Sequence, residues 1–458
     1  MTTTQQISIP ALRAGLDGAV IAPDDAGYDE ARRVFFTGFD RRPAAVVRAG
    51  AAADVARVVR LARETGTELA VRSGGHSPAG FGTTDGGIVL DLSEMNAVAI
   101  DRDERTAWAE TGVTAGAYTK ATAEYGLATG LGDTGSVGLG GITLAGGVGF
   151  LVRKYGLTID DVVGAEVATA DGEILAVDDE NHPDLLWALR GGGGNFGVVT
   201  KLRLRLHDLD HVVGGMLILP ATADTIAGLV AAADDAPDEL SLIANILKAP
   251  PLPFIPAEHH GKPVVLAPMV FAGDAEGGQR AIAPIRSLAT PLADMVRPLR
   301  YTEMYDGPEP PSPAFSVGRN MLVDDLPAGA ADAILEHLES ATAPMAAVQL
   351  RVLGGAMARV PAEATAFAHR GARLLVNVAA MYGRAEERGE QEAWVAALAD
   401  TLAGGAATPT YVGFLGGGAD DLERAYPPAT LARLAEVKRR YDPDNLFRLN
   451  LNVPPAAA

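Results

Sequence analysis

Short apolar runs and amphipathic stretches alternate through the first two hundred residues. Pro43 to Ala49 reads as a strand, and Ala53 to Glu64 then sets Val55, Val58, Val59 and Ala62 on one helical face with arginines opposite, ending at Gly66. Leu69 to Arg72 follows as a half-buried strand. Ile88 to Leu92, Val98 to Ile100 and Ala107 to Glu110 continue as short strands. Residues 27 to 36 predict a lead-in helix, and Thr114 to Tyr125 a helix closed by Gly126. Lys154 to Val177 reads as a turn and two strands joined at Asp171-Gly172, Pro183 to Arg190 as a helical stretch, and Val198 to Leu206 as a strand.

From about His207 the pattern changes. Thr222 to Ala233, Gln279 to Leu288, Ala328 to Ser340 and residues 387 to 403 predict helices, with strands at Leu240 to Leu247, Val264 to Phe271, Ala347 to Leu353 and Leu374 to Met381. Pro-rich loops at 249 to 263 and 306 to 313 interrupt this part, which reads as a second domain. A last helix, 429 to 440, carries Leu431, Leu434 and Val437 on one face and stops before Pro443. The 458 residues exceed the usual size of one core.

Glycine changes this picture most, because the 53 glycines cluster. Residues 126 to 149 are glycine-dense, and a helix there would lose about 1 kcal/mol per glycine, so loops with very short apolar segments are predicted. Their apolar residues need burial, so the backbone is expected to press on something only glycine lets it touch. Gly74-Gly75 and Gly191 to Gly197 form two further clusters. G-x-G-x-x-G occurs at Gly130, Gly132, Gly135 and at Gly192, Gly194, Gly197, in neither case between a strand and a long helix, so neither copy is a Rossmann dinucleotide fingerprint. Neither a P-loop nor a G-x-S-x-G elbow is present.

Lys plus Arg number 38 against 58 Asp plus Glu, a formal charge of −20, which disfavours nucleic acid and anionic membranes. An anionic ligand then needs a local site of backbone N–H groups and one or two arginines, and Arg72 is placed for that. With no cysteine, disulfides, thiolate metal sites and cysteine nucleophiles drop out. The histidines lack metal-ligand spacing, and no metal is expected. A polar start and the lack of any long apolar run predict a soluble, cytoplasmic protein, monomer or homodimer.

Arg72-Ser73-Gly74-Gly75-His76 then stands out: two glycines let backbone approach a flat or charged ligand, and a neutral imidazole is nucleophilic. Three glycine-dense backbones with Arg72 and His76 suit one elongated ligand with phosphates and rings, such as FAD. A set of close-packed structural turns is the alternative at this point.

The motif resembles the R-x-G-G-H flavin-attachment motif of the berberine bridge enzyme-like FAD-linked oxidases, of the vanillyl-alcohol oxidase and p-cresol methylhydroxylase (PCMH) superfamily. Gly135 to Gly149, Arg153 to Gly156, Arg190 to Val199, Gly354 to Val360, Phe367 to Arg370 and Tyr441 to Pro455 resemble further family landmarks in the same order. The resemblance implies an α+β fold: a bipartite PCMH-type FAD-binding domain of two α/β subdomains (1–206, completed by 416–458) and a substrate domain (207–415) with an antiparallel sheet covered by helices. It implies FAD on Arg72, Ser73, Gly74, Gly75, His76 and Ser77, on Thr134, Ser136, Val137, Gly138, Gly141, Gly146 and Gly149, and on Tyr155, Val199, Asn450 and Asn452.

His76 would carry the 8α-methyl of the flavin. Thr134 stands where many members have a second, cysteinyl link, so a single 8α-histidyl link is expected. Val137 stands where a small residue admits O2, which favours an oxidase that takes hydride from an alcohol, sugar or secondary metabolite and makes hydrogen peroxide. The family's Y-x-N-[FY] stretch is here Tyr411-Val412-Gly413-Phe414, so its phenolic base is missing, and Leu451 replaces a usual glutamine. Tyr411, Tyr382, Gln349 and Arg351 are the candidate base or orienting residues, the last two on one face of a predicted strand. A dehydrogenase using another acceptor and a non-catalytic flavin-binding protein are the rival readings.

Overall fold

A computed structural model describes residues 7–306, 312–405, 407–415 and 421–457. Most of the Pro-rich loop 306–313, the polar start and the beginning of the C-terminal return segment lie outside them. As expected, the fold is α+β, built on three main sheets.

The first sheet has four strands in the order Ala19–Ile21, Ala45–Arg48, Ile88–Asp91, Leu69–Arg72, the last three parallel. Helix Ala52–Thr65 crosses over between two of them and buries Val55, Val58, Val59 and Ala62, the apolar face read from the sequence. The second sheet is antiparallel, in the order Val98–Asp101, Thr106–Glu110, Val198–Arg205, Val162–Ala168, Ile174–Val177.

The third sheet is the largest, with central order His211–Pro220, Pro263–Phe271, Leu240–Lys248, Met345–Val352, Leu374–Tyr382, Phe315–Val323, all antiparallel. Helices Ala223–Asp234, Ala275–Arg286, Ala330–Ser340 and Arg388–Leu402 cover one face, burying Ile226, Ile282, Ile334 and Leu398 against Val265, Val348 and Val376. Its other face turns toward the glycine loops.

Three local expectations change. The lead-in helix is only Tyr28–Ala31, because the carbonyls of Ala31 and Arg33 accept from the Arg72 guanidinium instead of continuing the helix. Leu139–Leu144 is a short helix inside the glycine-dense stretch. His211–Pro220 and Phe315–Val323 are strands that the periodicity does not announce. Among the described residues no helix is long and apolar enough to cross a membrane.

The C-terminal helix Pro428–Tyr441 lays Leu434, Val437 and Tyr441 into the second sheet's core, while Leu446 and Phe447 enter the first sheet's core. Fully buried Lys438 and Asp442 pin this return: Lys438 Nζ lies 2.5 Å from Asp442 Oδ2 and donates to the carbonyls of Asn195 and Phe447. Asp442 in turn accepts from the amides of Leu446 and Phe447. Burial pulls the Lys438 amine below its ordinary pKa, and Asp442 opposes that pull. Asp442→Ala, which strands a buried ammonium, is expected to cost about 3–5 kcal/mol; chemical denaturation of the two proteins measures it.

Candidate active site

Strand Leu69–Arg72 ends in register with Asp91, and that register decides the fate of Arg72. Its guanidinium lies 2.8 Å from Asp91 Oδ2 and donates to Ala31 O at 2.6 Å and Arg33 O at 3.0 Å. It is buried and committed inside the protein, so the expected phosphate contact is replaced by a structural one. Arg72 draws the lead-in segment against the turn, and the Phe35 amide donates to Gly75 O at 3.1 Å. The Phe35 ring then stacks on His76, centroids 4.2 Å apart and planes 22° apart. Gly75, at φ +72°, makes the turn.

On its other side His76 meets the second loop, with Nε2 3.0 Å from Ser136 Oγ. The two loops come this close because Gly74 lies against Gly138: a Cβ on either would overlap the other's backbone. Ser73 Oγ donates to Thr111 O at 2.5 Å, and the Val137 carbonyl accepts from Ala115. Ser77, Thr134, Ser136 and Val137 are all half-buried around this meeting point. Farther along, Gly146 (φ +122°) lies under the Tyr411 and Phe367 rings, and a Cβ on Gly149 would press on the Leu131 and Gly132 carbonyls.

The third loop is sewn to the C-terminal tail. Asn195 Nδ2 donates to Gly192 O and Leu451 O, and its Oδ1 accepts from Val453. Asn450 Nδ2 donates to Gly194 O at 3.1 Å, while the buried Oδ1 atoms of Asn450 and Asn452 have no partner among the described residues. Space beside Gly141 and Gly194 is open. Unpaired acceptors beside bare glycine backbone fit a ligand that is both flat and rich in N–H and O–H donors, as FAD is. Two expected contacts fall elsewhere. Tyr155 stacks on His207 (centroids 4.0 Å) and reaches Asp208, and the Val199 side chain is in the second sheet's core with its carbonyl taken by Thr111.

The open face of the large sheet supplies a polar row. Asn245, Gln349 and Asn377 stand side by side across three strands, and Gln349 Nε2 donates to Asn245 Oδ1 at 2.7 Å. Arg351, two residues on, donates to Gln349 Oε1, to Val148 O and, at 2.7 Å, to Asp133 Oδ2 beside Thr134. Phe414 covers the guanidinium at 4.9 Å. The structure therefore brings Gln349 and Arg351 together with an acid that sequence reasoning missed; its place one residue before Thr134 was the available signal.

The two tyrosines are placed differently from expectation. Tyr382 follows Val376, Val378 and Ala380 in the apolar row beneath the helices, so alternation sets it on the face opposite Gln349. Tyr411 is fully buried, its backbone is held by Asn320, and its hydroxyl accepts from the Gly147 amide at 3.1 Å. Burial holds this phenol above its ordinary pKa, although the amides of Gly147 and Val148 oppose it. It is a peg between the sheet and the second loop, not a base. Tyr411→Phe is accordingly expected to lower turnover less than about tenfold, where loss of a general base costs about 10²–10⁴-fold; steady-state kinetics across pH distinguishes the two.

Comparison with known proteins identifies the family and the fold. The family described as FAD binding domain matches residues 43–178, and that described as Berberine and berberine like matches residues 410–454. (R)-6-hydroxynicotine oxidase of Paenarthrobacter nicotinovorans is 34% identical over 96% of this chain and 97% of its own. The crystal structure of 6-hydroxy-D-nicotine oxidase from Arthrobacter nicotinovorans superposes with a TM-score of 0.85 at 31% identity, covering 96% of this chain and 98% of that one. Glucooligosaccharide oxidase from Acremonium strictum, described with a 6-S-cysteinyl, 8α-N1-histidyl FAD, shares the fold at a TM-score of 0.85 and 23% identity, covering 99% and 100%. With a full-length relative and both family segments in place, the chain belongs to the berberine bridge enzyme-like FAD-linked oxidoreductases.

Proposed function

We propose that this enzyme is an oxidase that carries FAD on His76 by a single 8α-histidyl bond, oxidises a C–H of an alcohol, sugar or secondary metabolite, and passes the electrons to O2. The observation that carries this reading is the placing of His76, clamped between Phe35 and Ser136 where two glycine loops meet. Thr134 offers no thiol for a second link, and the half-buried Val137 stands at the position where, by the family resemblance, a small residue admits O2. Residues 1–206 with 416–458 form the FAD-binding part on this reading, and 207–415 the substrate part.

Bound FAD supplies the hydride acceptor. The protein supplies placement and proton handling. Asp133, its side chain 26% exposed, is held by Arg351 and takes the proton of the substrate O–H or N–H. Gln349 and Asn377 orient the substrate from the sheet, and Asn377 Oδ1 is a buried acceptor without a partner among the described residues. Arg351 has all its nitrogens engaged within the protein, so it steadies Asp133 and does not grip substrate.

Acid precipitation followed by peptide mass spectrometry should find the flavin on the peptide that contains His76; yellow supernatant sinks the covalent claim. Photoreduced enzyme mixed with air should reoxidise within seconds, and reduced flavin persisting for minutes points to another acceptor. Asp133→Asn should retain flavin while slowing flavin reduction by about 10²–10⁴-fold, which stopped-flow spectroscopy reads with a substrate found by screening hydroxynicotines and oligosaccharides.

A further inference from the structure

Cross-strand pairing orders the open face of the large sheet into rows. Gln349 pairs with Asn245 and Asn377, the polar row already described. Two residues farther along, Ala347 pairs with Ala379 and Ala379 with Gly318; two farther again, Met345 pairs with Met381 and Met381 with Ser316. Paired residues in register share a face, so these rows continue the polar one. The helices cover the opposite face, on Val348, Val376, Val378 and Ala380. Toward the rim the surface opens: Ala347, Ala379, Gly318 and Met381 are half-buried, and Met345 is 43% exposed.

This floor is continuous with the candidate active site at both ends. At its polar end Gln349 is held by Arg351, which holds Asp133. At its rim the amides of Thr37 and Gly38 donate to Pro313 O and Ala314 O, just before strand Phe315–Val323, and Phe35 in the same segment donates to Gly75 O. One side is walled by the Pro-rich loop, whose Leu252 and Ile255 pack with Ile218 and Leu266.

The chemistry of the floor decides what can lie on it. Ala347, Ala379, Gly318, Met345 and Met381 are all apolar, and Ser316 adds one hydroxyl at the edge. From Gln349 to Met345 is about 14 Å, at about 3.4 Å per residue of strand. Each hydroxyl of a sugar left unpaired over that length would weaken binding about tenfold or more, and a charge would weaken it further. Each methylene placed there would strengthen it about two- to fourfold. The two methionines are flexible enough to close on bodies of different shape.

We infer that the substrate is an uncharged molecule with one hydrogen-bonding end, where it is oxidised, and an apolar body up to about 14 Å long that lies on Ala347, Ala379 and Gly318 toward Met345 and Met381. This rests on the reading of 207–415 as the substrate part and narrows the proposed substrates to that class, setting sugars aside. For a primary alcohol of the class, a carbinol C–H leaves as hydride to the bound flavin and the O–H proton goes to Asp133, giving the aldehyde. Dioxygen takes up the two electrons and two protons as hydrogen peroxide.

The probes are 4-alkylbenzyl alcohols from methyl to hexyl, with 4-(hydroxymethyl)benzoate as the charged comparison and cellobiose as the polyhydroxy one. Calorimetry on the flavin-loaded enzyme should show affinity rising about two- to fourfold per methylene, with both comparison compounds at least about tenfold weaker than the hexyl alcohol. Ala379→Asp should weaken the hexyl alcohol about tenfold more than the methyl one. Ala347→Leu, which fills the floor and carries the test if thermal melts show the aspartate variant unfolded, should cut the gain per methylene below about twofold. Affinity that ignores chain length, no binding of the hexyl alcohol, tighter binding of cellobiose, or a parental length dependence in the folded variants overturns the inference. Length-dependent binding without anaerobic bleaching of the flavin leaves it standing and counts against the oxidase reading. Bleaching by cellobiose alone does the reverse.

Discussion

Gly74 and Gly138 touch backbone to backbone, and everything at the site depends on that contact. Gly74 follows the edge strand Leu69–Arg72 of the first sheet; Gly138 precedes helix Leu139–Leu144, whose loop is sewn by Ala115, Leu139 and Gly140 to the segment 111–115 that leaves the second sheet's strand Thr106–Glu110. A methyl group on either residue would overlap main-chain atoms of the other loop, which cannot step aside as a flexible side chain would. Overpacking of this kind costs about 1–3 kcal/mol in a core, and here it would also part His76 from Ser136. The two side chains meet because two others are missing. Arg72 completes the arrangement from behind: by engaging Asp91 and two upstream carbonyls it places Phe35 against the imidazole.

A second constraint holds the third glycine loop and the C-terminal tail. A buried ion pair is a weak source of net stability, since desolvation offsets most of the attraction. Lys438 and Asp442 nevertheless satisfy two carbonyls and two amides that no apolar pair could satisfy. What they provide is geometry. Through the carbonyl of Asn195 they fix the third glycine loop, and Asn195 fixes the tail at Leu451 and Val453. Asn450 and Asn452 are thereby held beside the third glycine loop, with Oδ1 acceptors that have no partner among the described residues.

The parts of this that were legible in the sequence are those whose physics is local. Helix Ala52–Thr65 and the glycine clusters follow from spacing and from the lack of side chains, and the family resemblance orders the loops. Arg72 was misread because its partners lie at Ala31, Arg33 and Asp91, which no local pattern connects. Strand Phe315–Val323 escaped notice because Asn320 turns inward to hold Tyr411 and breaks the apolar alternation; His211–Pro220 is broken at its centre by Gly214 and Gly215. Such interruptions are expected where a strand serves a site. Tyr382, by contrast, was decidable from sequence, since Val376, Val378 and Ala380 already give the parity of the core face.

That parity also bears on the missing phenolic base. A sheet covered on both faces is ordinarily apolar on both, yet the face toward the flavin loops carries Asn245, Gln349, Arg351 and Asn377 while the face under the helices is apolar. The polar row ends on the Arg351 to Asp133 pair, and Phe414 lies over the guanidinium at 4.9 Å. A tyrosine in that place would bring a hydroxyl to an arginine each of whose three nitrogens already makes a hydrogen bond; phenylalanine brings only a ring face, which a cation favours. Phe414 is thus consistent with the charge beneath it and is not simply the loss of a base. Of the ionisable groups gathered there, Arg351 is 5% exposed and Tyr411 is closed off by the protein, whereas Asp133 retains 26% of its side-chain surface. On the proposed reading, the proton chemistry has moved from the loop at 411–414 to the loop that also carries Thr134 and Ser136, so that one segment of chain both positions the flavin and receives the substrate's proton.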